Sequence, residues 1–354
     1  MHISDVVIAG GGIIGLSLAI ELRREGASVT VLDRGEPGQE ASSAAAGMLV
    51  TADPDLGAPM RALAQASAAM YPAFVQELEL RSQISVGFED RGALYLASDD
   101  EEFCLDALAE SELRVLEPEL ARHPRVFLLP EQSVEPSRLV QAALAAAKQM
   151  GIVVHHEATV CAVAMNGDHQ VEVSCGRISY QTPTFVNCAG AWAKEIQGAS
   201  VPTLPRKGQM LSVVPRNFHL KHVVRSHQVY LVPRKDGRVI IGATIEDVGF
   251  DKNVEPAAIQ RLHQAAANLV PAIGEAKMIE AWAGLRPGSP DDLPIMGPGR
   301  IPGTYMATGH FRNGILLAPI TAALMTDLIL GRQPRLDLTP FAPHRFRASE
   351  ALSG

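Results

Sequence analysis

Several features that would place the chain in another class of protein are scarce in its sequence. The formal net charge of the 354 residues is −8 and aromatic residues make up 5%, so no basic, aromatic-rich stripe is available for nucleic acid or an anionic membrane surface. The four cysteines form no CxxC pair; they are Cys104, Cys161, Cys175 and Cys188. This usage predicts reduced thiols in a cytoplasmic protein rather than a disulfide framework.

Long apolar segments and metal-ligand patterns are also missing. The longest apolar run, 314–330, contains Pro319 and Asp327, and it is too short and too interrupted to span a bilayer. A strand is predicted almost at once, with no charged leader before it, which disfavours secretion. None of the eleven histidines stands in a metal-ligand spacing backed by acids. We therefore expect no metal site, no membrane anchor and no nucleic-acid partner.

A glycine-rich turn near the start of the chain is the most informative motif. An apolar run is followed by Gly10, Gly12 and Gly15 in GxGxxG spacing, then by a helical pattern and a second apolar run that ends at Asp33. The three glycines permit a tight turn, the approach of a pyrophosphate to the backbone, and close helix–strand packing. Phosphates would lie at the helix N-terminus, and Asp33 could accept a bond from a ribose hydroxyl. The pattern predicts a dinucleotide site; the alternative is a glycine turn with no ligand.

The rest of the sequence indicates a chain of two domains or an intertwined pair. Apolar spacing predicts helices over 59–80, 137–150 and 256–269. Strand-like runs cover 152–155, 159–165, 170–174, 184–187, 209–214, 229–233 and 239–243, and a last strand, turn and helix run from 305 to 330. The dinucleotide unit is thus completed by returning segments, with a β-rich domain inserted between them.

Three side chains in the second half could recognise a small acid. Arg286 stands in a short segment flanked by glycine and proline, Arg312 stands on a turn before the last helix, and Tyr230 lies on an otherwise apolar strand. A single arginine on such a turn is usually a solvated charge, but two that converge would bind a carboxylate bidentately. His310, on the same turn as Arg312, suits a structural hydrogen bond at least as well as a site role. The small residues of 41–48 fit either a tightly packed helix or a flat ring lying close to the backbone.

Four segments together carry a resemblance to a known family. They are the glycine turn 10–15, the small-residue stretch 42–48, WAGLRP at 282–287 and GHFRNGILLAP at 309–319. They resemble the D-amino-acid oxidase family of FAD-dependent oxidoreductases, and within it the glycine oxidases of thiamine biosynthesis. The likeness spans nearly the whole chain.

This resemblance implies an α/β fold (α+β mixed) and an oxidase activity. A Rossmann-like FAD-binding domain would consist of 1–84, 131–203 and 284–354, interleaved with a mixed-sheet substrate-binding domain of 85–130 and 204–283. The implied reaction is oxidative deamination of glycine, with sarcosine or small D-amino acids as further substrates. It would consume dioxygen and give the imine or 2-oxo acid, ammonia and hydrogen peroxide, for thiazole formation. FAD would be non-covalent, because 309–319 holds no cysteine, and members of the family often form homo-oligomers.

The resemblance also implies a set of site residues. Arg286 and Arg312, with Tyr230, would hold the substrate carboxylate while the substrate is positioned for hydride transfer to FAD, with no catalytic side chain. The implied cofactor-binding residues are Gly10, Gly12, Ile13, Ile14, Gly15, Asp33, Arg34, Ser42, Ala46, Gly47, Met48, Val160, Gly190, His310, Phe311, Arg312, Asn313, Gly314, Ile315 and Leu316. Gln228 and Ile245 replace a histidine and a methionine of some glycine oxidases, which leaves the side-chain preference open.

Other functions compatible with the sequence are kept as alternatives. A flavin-dependent dehydrogenase would pass electrons to a quinone or carrier, and an N-methylglycine-type oxidase would take a secondary amine. An RNA-modifying oxidoreductase is disfavoured by the charge of −8. A non-catalytic flavin-binding protein would show no reduction of its flavin by glycine.

Overall fold

The computed structural model describes residues 2–53, 56–99, 101, 105–167 and 170–346. Cys104 and the last eight residues of the predicted FAD-binding domain lie outside the described residues. The α-helices are α1 (Ile13–Arg24), α2 (Ala41–Ala44), α3 (Ala58–Ser82), α4 (Glu110–Leu116), α5 (Pro136–Gln149), α6 (Pro256–Leu269) and α7 (Gly314–Ile329). Short 3-10 helices cover Gly190–Glu195, Pro271–Glu275, Phe311–Asn313, Thr339–Phe341 and Pro343–Phe346.

The strands form four sheets. In chain order they are β1 (His2–Ile3), β2 (Val6–Ala9), β3 (Val29–Leu32), β4 (Met48–Leu49), β5 (Ala93–Leu96), β6 (Val126–Leu129), β7 (Gln132–Ser133), β8 (Val153–His155), β9 (Val160–Met165), β10 (Val171–Cys175), β11 (Ile178–Thr182), β12 (Thr184–Asn187), β13 (Leu204–Val214), β14 (Val223–Ser226), β15 (Tyr230–Pro233), β16 (Val239–Gly242), β17 (Lys277–Gly288), β18 (Ile295–Pro298) and β19 (Thr304–Thr308). The sheet orders are β18-β19-β12-β2-β3-β8, β17-β13-β16-β15-β14-β5-β6, β1-β11-β10-β9 and β4-β7.

The central six-stranded sheet is parallel except for β18 at its edge. Its strands β2 and β3 are buried along their whole length, as the continuous apolar runs of a parallel sheet require. Val6 and Ile8 of β2 pack against the core formed with α1, α3, α5 and α7. Val7 and Ala9 point the other way, into the core shared with β9, β10 and β11. Helices and the four-stranded sheet therefore cover opposite faces of this sheet.

A proline inside α7 explains one contact between helices. Pro319 has no N–H, so the carbonyl of Ile315 loses its ordinary helical donor. The hydroxyl of Tyr71 on α3 donates to that carbonyl at 2.6 Å, and the hydroxyl of Ser67 donates to the carbonyl of Leu316 at 2.6 Å. These bonds fix the first turn of α7, which follows directly on residues 310–313 at the site.

The seven-stranded sheet is antiparallel except where β14 pairs with β5. The sequence-based placement of Arg286 in a short glycine- and proline-flanked turn is wrong: it lies in the twelve-residue strand β17, opposite Arg206 of β13. Because β17 is an edge strand, Pro287 removes no ladder bond that a further strand would need. The predicted domain boundaries stay a prediction.

The two faces of the seven-stranded sheet pack against different parts of the protein. Leu231 and Ile241 pack with Ile259 and Leu262 of α6 in one apolar core. Tyr230 and Val232, on alternate positions of β15, point to the opposite face, which is turned toward the first sheet. None of the helices in the described ranges is long and apolar enough to cross a membrane.

Candidate active site

A cavity of about 610 Å³ lies between the two large sheets. The carboxyl ends of β2, β3 and β19 form one side of it, the usual ligand position in an open α/β sheet, and β13, β15, β16 and β17 form the other. Every predicted site residue except Gly15 and Leu316 lines this cavity. The volume lies in the range that holds a cofactor or small ligand.

The two exceptions have structural positions instead. A Cβ at Gly15 would lie 2.0 Å from the carbonyl oxygen of Gly10, so this glycine permits close packing of α1 on the turn. Leu316 is 1% exposed and belongs to the helical core. The side chain of Leu316 is therefore turned away from the cavity, and the predicted contact of its backbone with a cofactor stays a prediction.

The glycine turn has the backbone shape that its sequence predicts. Gly10 has φ +107°, and a Cβ there would lie 2.2 Å from the carbonyl oxygen of Cys188. The N–H of Gly11 donates to Oδ2 of Asp33 at 2.6 Å, and the N–H of Ile13 donates to Oγ of Ser42 at 3.0 Å. Asp33 thus braces the turn while it lines the cavity, and its carboxylate retains lone pairs for a ribose hydroxyl.

A flat wall made by two side chains stands beside this turn. The guanidinium carbon of Arg34 lies 4.3 Å from the ring centroid of Trp192, and both residues line the cavity. The other neighbour of Trp192 is Phe250, stacked at 5.3 Å with an interplanar angle of 24°. No local pattern in the sequence points to Trp192, because its contact with Arg34 joins segments that are far apart in the chain.

The small-residue stretch is helical only at its start, in a four-residue helix with no buried residue, and the flat-ring interpretation stays a prediction. Residues 41–44 are helical, and the chain then turns at Gly47, where φ is +82°. The carbonyl of Ala44 accepts from Nε1 of Trp282 at 3.1 Å, and that of Ala46 accepts from Nη2 of Arg234 at 2.6 Å. Burial lowers the pKa of Arg234 to about 10, which still leaves it protonated. No local pattern in the sequence points to Arg234, yet its bond to Ala46 holds the cavity-lining backbone in place.

His310 has the structural role that the sequence left open as an alternative. Its side chain is 2% exposed, and Nε2 lies 3.0 Å from Oγ1 of Thr321 on α7. Burial lowers the pKa of His310 to about 3, so the ring is neutral at physiological pH. The ring links residues 310–313 to the helix that follows them.

Arg286 reaches the cavity through a gap left by a glycine. Its Nη1 donates to the carbonyl of Thr244 at 3.0 Å and to that of Lys207 at 3.4 Å. A Cβ at Gly208 would lie 2.1 Å from the same Nη1, so only glycine leaves room for the guanidinium. An isolated glycine inside a strand is the one sequence signal that could have pointed to this close approach.

Tyr230 and Arg312 share the cavity with Arg286. The hydroxyl of Tyr230 lies 3.2 Å from Sδ of Met210, and burial raises its pKa, so it is a hydrogen-bond donor at physiological pH. Burial also lowers the pKa of Arg286, and the nearby charge of Arg312 acts in the same direction. Within the described residues, no carboxylate lies at salt-bridge distance from either guanidinium. Two cations and a phenol thus surround a space suited to an anion.

The sequence pattern that defines the FAD-dependent oxidoreductases matches residues 5–328. The chain belongs to this family. FAD is the cofactor of the family, and the expected family resemblance and fold class are confirmed. The cavity fits this cofactor, since the Gly10 turn, the Arg34–Trp192 wall and the Gly47 backbone all border it.

Individual members of the family show how close the relationship is. The chain is 38% identical over 97% of its length to the bifunctional protein ThiO/ThiG of Synechocystis, of which it covers 54%, so it spans about half the length of these bifunctional relatives. It is 35% identical over 96% of its length to the glycine oxidase of Pseudomonas aeruginosa, covering 98% of that protein. The crystal structure of glycine oxidase from Geobacillus kaustophilus superposes with a TM-score of 0.91 at 30% identity, covering 98% of this chain and 99% of the other.

Three further residues with side chains of different character line the cavity. Gln228 and Ile245, the two departures noted in the sequence, both line the cavity, as does His227. Among the described residues, no group of three or more His, Cys, Asp or Glu side chains is arranged to hold a metal ion.

Proposed function

We propose that this family member is an oxidase that uses non-covalent FAD to oxidise the amine of glycine. Sarcosine and small D-amino acids are further candidate substrates, and dioxygen is the acceptor. The products are the imine and hydrogen peroxide, and water then hydrolyses the imine to the 2-oxo acid and ammonia, or methylamine in the case of sarcosine. Relatives named glycine oxidase that align along almost their whole length support the substrate. The observation that carries the proposal is the meeting of Arg286, Arg312 and Tyr230 at one cavity bordered by the dinucleotide turn.

The residues that would hold FAD are the cavity-lining members of the predicted set. The turn at Gly10 and Gly12, with the N-terminus of α1, would receive the pyrophosphate, and Asp33 would accept from a ribose hydroxyl. The backbone at 46–48 and 310–315 would border the ring system. When bound, FAD would supply the redox chemistry, a two-electron oxidation of the substrate with dioxygen as the final acceptor.

The side chains of the chain itself supply binding and orientation. Arg286 and Arg312 would pair with the substrate carboxylate, and the protonated hydroxyl of Tyr230 would donate a third bond to it. With the carboxylate fixed, the direction of the α-carbon is determined by the remaining cavity wall. The N-terminus of α7 begins at Gly314 beside the cavity, and its positive dipole end would stabilise negative charge on a reduced ring system bound there.

The deciding experiment is anaerobic mixing of the purified holoprotein with glycine. The proposal predicts loss of the oxidised-flavin absorbance, followed on admission of air by its return and by formation of hydrogen peroxide. Flavin that is reduced by glycine but reoxidised only by a quinone would identify a dehydrogenase instead. Flavin that glycine, sarcosine and D-alanine all leave oxidised would refute the amino-acid oxidase proposal.

We also propose a cellular role for this protein, based on the names of its relatives. Relatives named ThiO/ThiG support a role in supplying a thiazole-forming step of thiamine biosynthesis. Cytoplasmic location, assembly as a homo-oligomer and the predicted division into two interleaved domains are parts of this proposal. Size-exclusion chromatography with light scattering measures the oligomeric state.

A further inference from the structure

An ion network of one buried lysine, Lys207, and two partly exposed carboxylates lies behind the guanidinium of Arg286. Nη1 of Arg286 is held by two backbone carbonyls, those of Lys207 and Thr244, rather than by a side chain. These carbonyls belong to two separate segments, β13 and the loop after β16. The position of the guanidinium therefore depends on how firmly those two segments are joined.

Backbone hydrogen bonds make the first connection between the segments. The N–H of Lys207 donates to the carbonyl of Glu246 and the N–H of Glu246 donates to the carbonyl of Lys207, both at 2.9 Å. The N–H of Gln209 donates to Oγ1 of Thr244 at 2.9 Å. The Lys207 carbonyl that receives Arg286 is thus also an acceptor in this bridge.

The carboxylate of Glu246 makes the second connection. Its Oε1 accepts from the hydroxyl of Thr244 at 2.5 Å and from Nε2 of Gln209 at 2.8 Å. Its Oε2 lies 3.5 Å from Nζ of Lys207, which also lies 3.3 Å from Oδ2 of Asp251. One carboxylate therefore ties both segments together at the residues that hold Arg286.

The positively charged side chain of this network is buried and therefore depends on nearby negative charge. Lys207 is fully buried, and so is Gln209. Burial opposes the charge on Lys207, but the bond to Asp251 and the charge of Glu246 raise its pKa above the ordinary value. Glu246 also acts electrostatically on Arg286. A buried lysine beside a partly buried arginine needs such a counter-charge.

We infer that Glu246 is a positioning residue for substrate binding: through Lys207, Thr244 and Gln209 it fixes the two carbonyls that aim Arg286 at the substrate carboxylate. This inference rests on the proposed function. It adds that recognition of the substrate carboxylate depends on Glu246 as well as on the residues that contact the substrate. Glu246 itself does not line the cavity, so it acts only through Arg286.

The test compares Glu246→Gln with Asp247→Asn in the FAD-loaded full-length protein. Asp247 is the next residue in the same loop and pairs with Arg206 at 2.6 Å, with 70% of its side chain exposed, so it is a matched control. Acetate binding, measured by its effect on the flavin spectrum, reports carboxylate recognition without turnover. Glycine kinetics then separate KM from kcat.

The inference predicts a specific pattern in these measurements. Glu246→Gln should weaken acetate binding and raise the KM for glycine about tenfold, the size of one lost charge-assisted hydrogen bond, with kcat little changed. Asp247→Asn should change neither by more than about twofold. Acetate affinity unchanged in Glu246→Gln overturns the inference, and so does an equal loss in both variants, since that would show general loosening of the loop.

Two further outcomes keep the inference separate from the proposed function and from folding. Wild-type holoprotein that binds acetate but is not reduced by glycine would refute the proposed function, while the acetate titrations would still decide the role of Glu246. If Glu246→Gln loses FAD, Asp251→Asn replaces it, because Asp251 is 40% exposed and binds the same Lys207. That variant should weaken acetate binding in the same direction by a smaller factor, and an unchanged affinity would overturn the inference.

Discussion

Replacing Gly208 by alanine should displace Arg286 without removing any charge. The added Cβ would lie 2.1 Å from Nη1, 2.2 Å from Nη2 and 2.3 Å from Cζ of that arginine. Since real Cβ contacts are essentially never shorter than 3.0 Å and are mostly longer than 3.4 Å, the guanidinium must move by about 0.9 to 1.3 Å from its 2.1 Å position. Gly208 has no positive φ, so alanine introduces no backbone strain there. A misplacement of this size is expected to lower kcat/KM for glycine by about tenfold to a hundredfold.

The assay is steady-state oxidation of glycine by Gly208→Ala, together with its flavin content and the same substitution in an Arg286→Ala background. If the alanine acts by moving Arg286, it should have almost no further effect once that guanidinium is gone. Gly274→Ala, whose Cβ would make an ordinary 3.7 Å contact with Ala267, is the control. Unchanged glycine kinetics in a Gly208→Ala protein that retains FAD would refute the assigned path of Arg286, and equal losses in both backgrounds would show that the alanine acts elsewhere.

Three other substitutions test single contacts. Arg286→Ala should raise the KM for glycine at least tenfold with FAD retained, because truncating one arm of a buried charge pair costs about 2–5 kcal/mol; normal glycine kinetics would exclude the clamp. Tyr230→Phe should raise that KM about threefold to tenfold through loss of one hydrogen bond, and an unaltered KM would remove Tyr230 from the site. His310, with a pKa of about 3 when folded and an ordinary value of 6.5, is protonated only on unfolding over this interval. The wild-type free energy of unfolding, measured by denaturant titration, should therefore fall by up to about 1.4 kcal/mol for each pH unit below 6.5, and His310→Gln should show a smaller slope; equal slopes would contradict the buried neutral ring.

Features with local causes could be predicted from the sequence. The strand, glycine turn, helix and second strand of residues 6–33 each depend on neighbouring residues, and the structure places Gly10 and Asp33 as their spacing predicts. The helix over 256–269 has the predicted bounds because its apolar face repeats with helical spacing and Pro256 marks its start. The four segments that resemble the family also predicted most of the site residues that line the cavity.

Features that depend on distant pairing could not be predicted in the same way. The glycines and proline around Arg286 suggested a turn, yet pairing with β13 makes the segment a strand. The same pairing brings Gly208 under the guanidinium and Lys207 behind it, and nothing local to Arg286 indicates either contact. The roles of Trp192 and Arg234 could not be predicted for the same reason, since their partners Arg34 and Ala46 lie far away in sequence.

The central claim is that Arg286, Arg312 and Tyr230 together hold a carboxylate beside the FAD of this oxidoreductase. A crystal structure of the FAD-loaded protein with bound acetate tests it most directly. We expect acetate oxygens within hydrogen-bond distance of both guanidinium groups and of the Tyr230 hydroxyl, on the cavity side of β17. Acetate bound elsewhere, or either guanidinium directed away from the flavin, would contradict it.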